Sequence, residues 1–236
     1  NTSKRIMGTG LGDLFKEFSN SYTTEIDIPE REKCLSLLKN LEEQIRKIAP
    51  PYYIVKGSGG MAFNPTPTPW IGIRDVNFTN NFMNGIYVFY SFPEDMKFLY
   101  LAIGQGTDGL KNEVGTTAAK LQLTSNAASL QHIFKEEIKR DQYTKNIDLR
   151  SSQNRATAYE DSVVISRKYD INKLPAEEVL VKDLEDIIEI YPKMVKELNN
   201  YSQKIKVNND VRDEKLEKEL EKKLKKKLKL DDKQLR

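Results

Sequence analysis

Asn84–Phe92, NGIYVFYSF, followed after Pro93, Glu94 and Asp95 by Met96–Ile103, MKFLYLAI, decides the fold of this 236-residue chain. Both runs are rich in aromatic and β-branched residues and are separated by turn formers, which is the pattern of a β-hairpin. Neither run alternates apolar with polar, so both faces of the hairpin are expected to be covered, one of them by helices. Upstream, Leu11, Leu14, Phe15 and Phe18 fall on one helical face, and Cys34, Leu37, Leu38, Leu41, Ile45 and Ile48 on another. The second helix should stop at Ala49, because Pro50 and Pro51 remove amide donors and disfavour helical geometry before them. Next come a short strand at Tyr52–Val55, an exposed loop at Gly57-Ser58-Gly59-Gly60, and a stretch studded with Pro65, Pro67 and Pro69 that leads into a strand at Trp70. Downstream, Asn126–Arg140 reads as a helix and Ser162–Tyr169 as a strand. Leu180, Leu184, Ile187, Ile188, Tyr191 and Val195 after Pro175 read as a long amphipathic helix. The expectation is an α+β fold: a twisted, largely antiparallel sheet, partly barrel-like, flanked by helices.

Composition narrows the chemistry. With 38% hydrophobic residues the chain is that of a globular protein. One cysteine, Cys34, excludes a disulfide framework and zinc sites built on paired cysteines, and one histidine, His132, excludes multi-histidine metal centres. Cys34 is expected in the core and His132 on a helix surface. No run of eighteen apolar residues occurs, and Asn1–Gly12 lacks the apolar stretch of a signal peptide, so a cytoplasmic protein without a membrane partner is expected. The missing initiator Met reads as a trimmed or excised chain.

The formal charge of +3 resides at the C-terminal end: residues 211–236 hold eleven Lys/Arg against seven Asp/Glu, leaving 27 basic and 28 acidic residues in 1–210. A nucleic-acid partner therefore has to be argued from local patches. In the tail, Leu216, Leu220, Leu224 and Leu228 recur every four residues among Lys and Glu, too fast a drift for a sustained heptad seam. Residues 1–204 are read as one domain and 205–236 as a charged helical linker or tail.

Catalysis finds no strong signature. Gly57–Gly60 lacks the Gly-Lys-Ser/Thr ending of a P-loop and is followed by prolines and a strand where a helix is required, which excludes nucleotide hydrolysis and a Rossmann site. Glu137-Ile138-Lys139 has the bare spacing of a metal-dependent nuclease but falls in a helical pattern with Glu136 and Arg140, where a solvated charged face is the simpler reading. No catalytic residue, metal or cofactor is expected. What stands out instead is an aromatic excess beside flexible or glycine-rich segments: Trp70, Tyr87, Tyr90, Phe92 and Tyr159, a set that either builds core or walls a cavity for a flat ligand. Lys139, Arg140, Lys145, Arg150 and Arg155, with Arg167 and Lys168 following, form the local basic enrichment of the body. They are read either as a solvated loop or as contacts to a phosphate backbone.

Taken in order, Val55–Gly60 (VKGSGG), Pro69–Ile73 (PWIGI), Gly85–Phe92 with Asp95-Met96, Leu99–Thr107 (LYLAIGQGT), and Tyr169-Asp170 with Leu174-Pro175 and the following helix resemble the N-terminal specificity domain of McrB-type modification-dependent restriction systems over residues 10–200. The resemblance implies a non-catalytic domain that binds duplex DNA carrying a methylated base and flips that base into a pocket. It also implies a separate GTP-driven motor and nuclease as partners. Position by position, Trp70 matches a pocket tryptophan, Tyr87 a hairpin tyrosine and Tyr159 a pocket tyrosine. Ser91 stands where a larger apolar residue would be, which widens the pocket, and Tyr90 completes the expected set. Met61 stands where the best-understood member inserts an aromatic side chain into the vacated stack, so Met61, or Phe63, is the expected apolar wedge. Lys56, Ser58, Gly59 and Gly60 are expected at the DNA with the basic residues named above. Two alternatives stand beside this reading: a metal-dependent nuclease using Glu137 and Lys139, and a protein-interaction module assembling through the Leu/Lys/Glu tail.

Overall fold

The structure, a computed structural model, describes residues 10–61 and 63–234. The leader reading of Asn1–Gly12 falls mostly on residues outside that range. Two helices, α1 (Leu11–Ser21) and α2 (Pro29–Ile48), precede strands β1 (Tyr53–Met61), β2 (Asn64–Asp75), β3 (Ile86–Ser91) and β4 (Phe98–Gln105). Helices α3 (Asp108–Val114), α4 (Thr116–Ile133), α5 (Lys135–Arg140) and α6 (Asn154–Ser162) follow, then β5 (Val163–Asp170) and α7 (Glu177–Gln234). The five strands pair in the order β1-β2-β3-β4-β5, every pair antiparallel. The α+β class is as expected, but the sheet is open rather than closed into a barrel. A compact unit runs to Val195. The residues from Lys196 form a second unit that is helical in itself, in which Leu216 is exposed. Among the described residues no helix is long and apolar enough to cross a membrane.

Register sorts the side chains onto two faces. Successive residues of a strand point to opposite sides, and paired residues share a side. Ile71, Ile73, Val88, Tyr90, Leu99, Leu101, Ile103 and Ile165 therefore lie on one face, where all are buried. On that side Phe15 stacks 4.8 Å from Tyr90 and Phe18 4.9 Å from Phe92, tilted contacts worth about 0.5–1.5 kcal/mol each beyond the area they bury. Tyr191 of α7 is fully buried, and its hydroxyl donates to the Ile86 carbonyl at 2.8 Å. Glu177 of α7 caps α1: its carboxylate accepts from Leu11 N at 2.7 Å and Gly12 N at 3.0 Å, placing negative charge on the helix's positive end. Cys34 is buried, as expected, and its thiol donates to the Ser21 carbonyl. His132 is exposed on α4.

Three local expectations are corrected. Gly57–Gly60 is not an exposed loop but part of β1, and Pro65, Pro67 and Pro69 lie within β2. The outer rim of β1 keeps its hydrogen bonds because helix side chains supply them. Glu42 accepts from Gly57 N at 2.7 Å, Arg46 donates to the Val55 carbonyl at 3.0 Å, and Arg31 donates to the Gly59 carbonyl at 2.8 Å. Helix 126–140 is instead two helices, with Phe134 between them out of helical geometry.

Candidate functional site

The opposite face of the sheet carries a different set of residues. Ser58, Trp70, Ser91, Tyr100 and Lys168 stand side by side across the five strands, with Lys56, Gly72, Phe89, Ala102 and Ser166 in the adjacent row. Its cover is thin. Ile147, Leu149 and Ala156 pack on Tyr87, Phe89, Tyr100, Ala102 and Val163, with Phe82 and Tyr159 against them. Here Trp70, Tyr87, Phe89, Ser91 and Tyr159 line one cleft. Four of the five belong to β2 and β3; Tyr159 comes from α6.

The structure thus brings together Trp70, Tyr87, Ser91 and Tyr159, and adds Phe89. Tyr90 is a correction. It is 1% exposed and packs on Phe15 from the helical side, because it sits one residue out of phase with Tyr87, Phe89 and Ser91. Phe82, from the segment between β2 and β3, braces the cleft wall. Its ring centroid lies 5.4 Å from Trp70 and 5.0 Å from Tyr87, both edge-on. A Cβ at Gly72 would meet the Phe82 ring at 2.4 Å, so only glycine there lets the ring lie on the sheet. The cleft encloses about 10 Å³ as it stands, room for roughly one water. Burial raises the phenol pKa of both Tyr87 and Tyr159, so each hydroxyl stays a neutral donor near pH 7.

A larger groove of about 520 Å³ adjoins the glycine strand. Lys56, Ser58, Gly59, Gly60 and Met61 line it from β1, Lys39 and Glu42 from α2, and Gln153 and Arg155 from the start of α6. Gly60 has φ +89°, and a Cβ there would meet Thr66 N at 2.3 Å, so the bulge in β1 before Met61 requires glycine. Beyond it the β1–β2 turn presents Met61 at 72% and Phe63 at 91% exposure, side chains that contribute little to the core.

The remaining basic residues are dispersed. Arg155 pairs with Asp108 at 3.3 Å, one helical turn before Tyr159. Lys139 is exposed on α5, and Arg140 binds Asp141 through two bonds of 2.9 Å beside Lys182 and Lys193 of α7, in a separate cleft. Lys145 is exposed in the segment before α6. Arg167 points to the helical face, 3.5 Å from Asp183 and 4.4 Å over the Tyr143 ring, whereas its neighbour Lys168 points outward. Arg150 binds Asp95 at 2.5 Å and lies 4.6 Å over the Phe98 ring. Glu137 and Lys139, the nuclease candidates, flank buried Ile138 on helix α5 instead of a strand. Among the described residues no group of three or more His, Cys, Asp or Glu is placed to hold a metal ion.

Sequence reasoning missed Phe89, Phe82, Lys39 and Gln153. Phe89 was reachable by strand parity, two residues from both Tyr87 and Ser91; the other three are brought in by tertiary structure alone. Neither a curated protein nor a solved structure matches this chain. The family model of the MrcB-like N-terminal domain matches residues 15–197, which takes in the whole sheet, the aromatic cleft and the glycine-strand groove, so the chain belongs to the MrcB-like N-terminal domain family.

Proposed function

We propose that this domain reads a modified base in duplex DNA by turning it out of the helix into the cleft of Trp70, Tyr87, Phe89, Ser91 and Tyr159. Membership of the family supports DNA binding in the setting of a McrB-type restriction system, with catalytic parts in a separate module. The observation that carries the finer reading is the convergence of Trp70, Tyr87, Phe89 and Tyr159 beside a turn that exposes Met61 and Phe63. Unstacking a base costs a few kcal/mol. Stacking in the cleft and an apolar side chain in the vacated gap offset it.

The closed cleft sets a condition. The main chain at Trp70, Tyr87, Phe89 and Ser91 is fixed by the ladders of β2 and β3, whereas Tyr159 reaches the cleft from α6, so admission of a base would proceed by withdrawal of Tyr159. The glycine-strand groove, with Lys39, Lys56 and Arg155, would take the DNA backbone. Ser91 leaves one wall small and polar, so selectivity need not rest on a methyl group alone. The cleavage machinery would be a motor and nuclease joined to this domain, and the protein would act in the cytoplasm.

Trp70→Ala tests the reading. Loss of one base-stacking partner is worth about 1–3 kcal/mol, so binding of a duplex carrying the modified base should fall roughly five- to 150-fold while the unmodified duplex is bound nearly as before. A panel of unmodified, 5-methylcytosine, 5-hydroxymethylcytosine, 4-methylcytosine and 6-methyladenine duplexes at one salt concentration identifies the base. Equal losses on every duplex would exclude a pocket role for Trp70.

A further inference from the structure

Phe98, at the start of β4, carries two cations: the Arg150 guanidinium 4.6 Å from the ring centroid and the Lys168 ammonium 4.0 Å from it, with the Tyr100 ring centroid 5.9 Å from the same ammonium. Asp95 neutralises Arg150. Asp148 and Asp170, the latter paired across from Phe98, accept from Arg150 N and Asn172 N, and neither forms an ion pair with Lys168. Lys168 is exposed and forms no ion pair among the described residues.

The arrangement is held in advance. Arg150 has a left-handed backbone, φ +50°, uncommon for a residue with a side chain, and the Asp148 turn and the Asp95 pair keep it there. Lys168 occupies the same cross-strand row as Trp70, three strands away, about 14 Å at the spacing of a sheet. The glycine-strand groove lies on the other flank of Trp70, next to β1.

We infer that Lys168, seated on Phe98 and Tyr100 beside Arg150, is a second contact for the DNA backbone, gripping a phosphate on the opposite side of the aromatic cleft from the glycine-strand groove. This rests on the DNA-binding part of the proposed function but not on base eversion. A phosphate contact carries no base information, so its loss weakens modified and unmodified duplexes alike.

Anisotropy titrations of the full 236-residue chain with a modified duplex and its unmodified counterpart, each over a salt series, test it. Lys168→Gln should weaken both duplexes by the same factor, about three- to tenfold at low salt, and reduce the slope of log K against log salt by about 1. Phe98→Leu, which keeps both charges but removes the ring that aims them, should give a smaller loss in the same direction. Lys16→Gln on α1 should change neither. Unaltered affinity and slope for Lys168→Gln overturn the inference, and a loss confined to the modified duplex does so too. Wild-type protein that binds both duplexes equally defeats the base-reading proposal and leaves this contact standing; wild-type protein that binds neither overturns both.

Discussion

The two faces of one sheet are built to different ends. Towards α1, α2 and the first turns of α7, the strands present Ile71, Ile73, Val88, Tyr90, Leu99, Leu101 and Ile103, each 1% exposed or less, sealed by Phe15, Phe18 and Tyr191. Towards α6 and the segment before it, the same strands present Trp70, Tyr87, Phe89 and Ser91 around a cleft, with Lys56 and Lys168 at the flanks. Strand alternation lets a single β3 serve both: odd residues face the cleft and even residues the core. Stability can therefore be concentrated on one side, which leaves the other, a residue apart, free for the recognition proposed above.

The sharpest way to break this contrast is to exchange consequences between neighbours. Tyr90→Ala should cost about 3–5 kcal/mol of unfolding free energy in urea titration, as for other large buried aromatics, and leave the ratio of modified to unmodified binding intact in whatever protein remains folded. A loss of that ratio instead would mean that the two faces are not separable. Next in size, replacing both Met61 and Phe63 by Ser should leave the melting temperature unchanged and weaken binding of the modified duplex about tenfold, roughly 1.4 kcal/mol, read by anisotropy. Unchanged affinity would remove the exposed turn from the recognition side. Glu177→Ala, which uncaps α1 on the helical side, should lower stability by about 1 kcal/mol without affecting DNA.

The smallest effect expected is on pH dependence. Burial pushes the Asp95 carboxyl up, but the Lys97 N–H and the Arg150 guanidinium outweigh it and hold the group below its ordinary value of 3.8. A lowered folded value means the contribution is present above that ordinary value and is lost as pH falls through the folded one. Asp95→Asn should flatten the acid limb of the stability profile slightly, measured by thermal melts from pH 7 to pH 3; an unchanged limb would show that the pair adds nothing to folding.

Much of the helical side was legible in the sequence. The periodic apolar residues of α1, α2 and α7 and the prolines after Ala49 each act locally, so spacing alone placed them. The recognition side was harder. Because β3 is buried at all six positions, its composition does not tell which parity faces the cleft, and the pairing of Trp70 with Ser91 puts the odd residues there and removes Tyr90. Gly57–Gly60 reads as a loop by composition, yet α2 side chains satisfy its backbone and hold it as strand. Helix α6, which brings Arg155 to the groove and Tyr159 to the cleft, buries only Ala156 and Ser162, too few to leave a periodic trace.

The dressing of β1 by Glu42, Arg46 and Arg31 reaches beyond a single molecule. A bare strand at the margin of a sheet is a template for the next copy, and crowded domains can fuse through it into aggregates. Here a newcomer would have to displace bonds already made by α2, and at the far margin Thr144 exchanges both backbone bonds with Ser166 of β5. A second copy meeting either margin would therefore have to break bonds already made within the fold before it could extend the sheet.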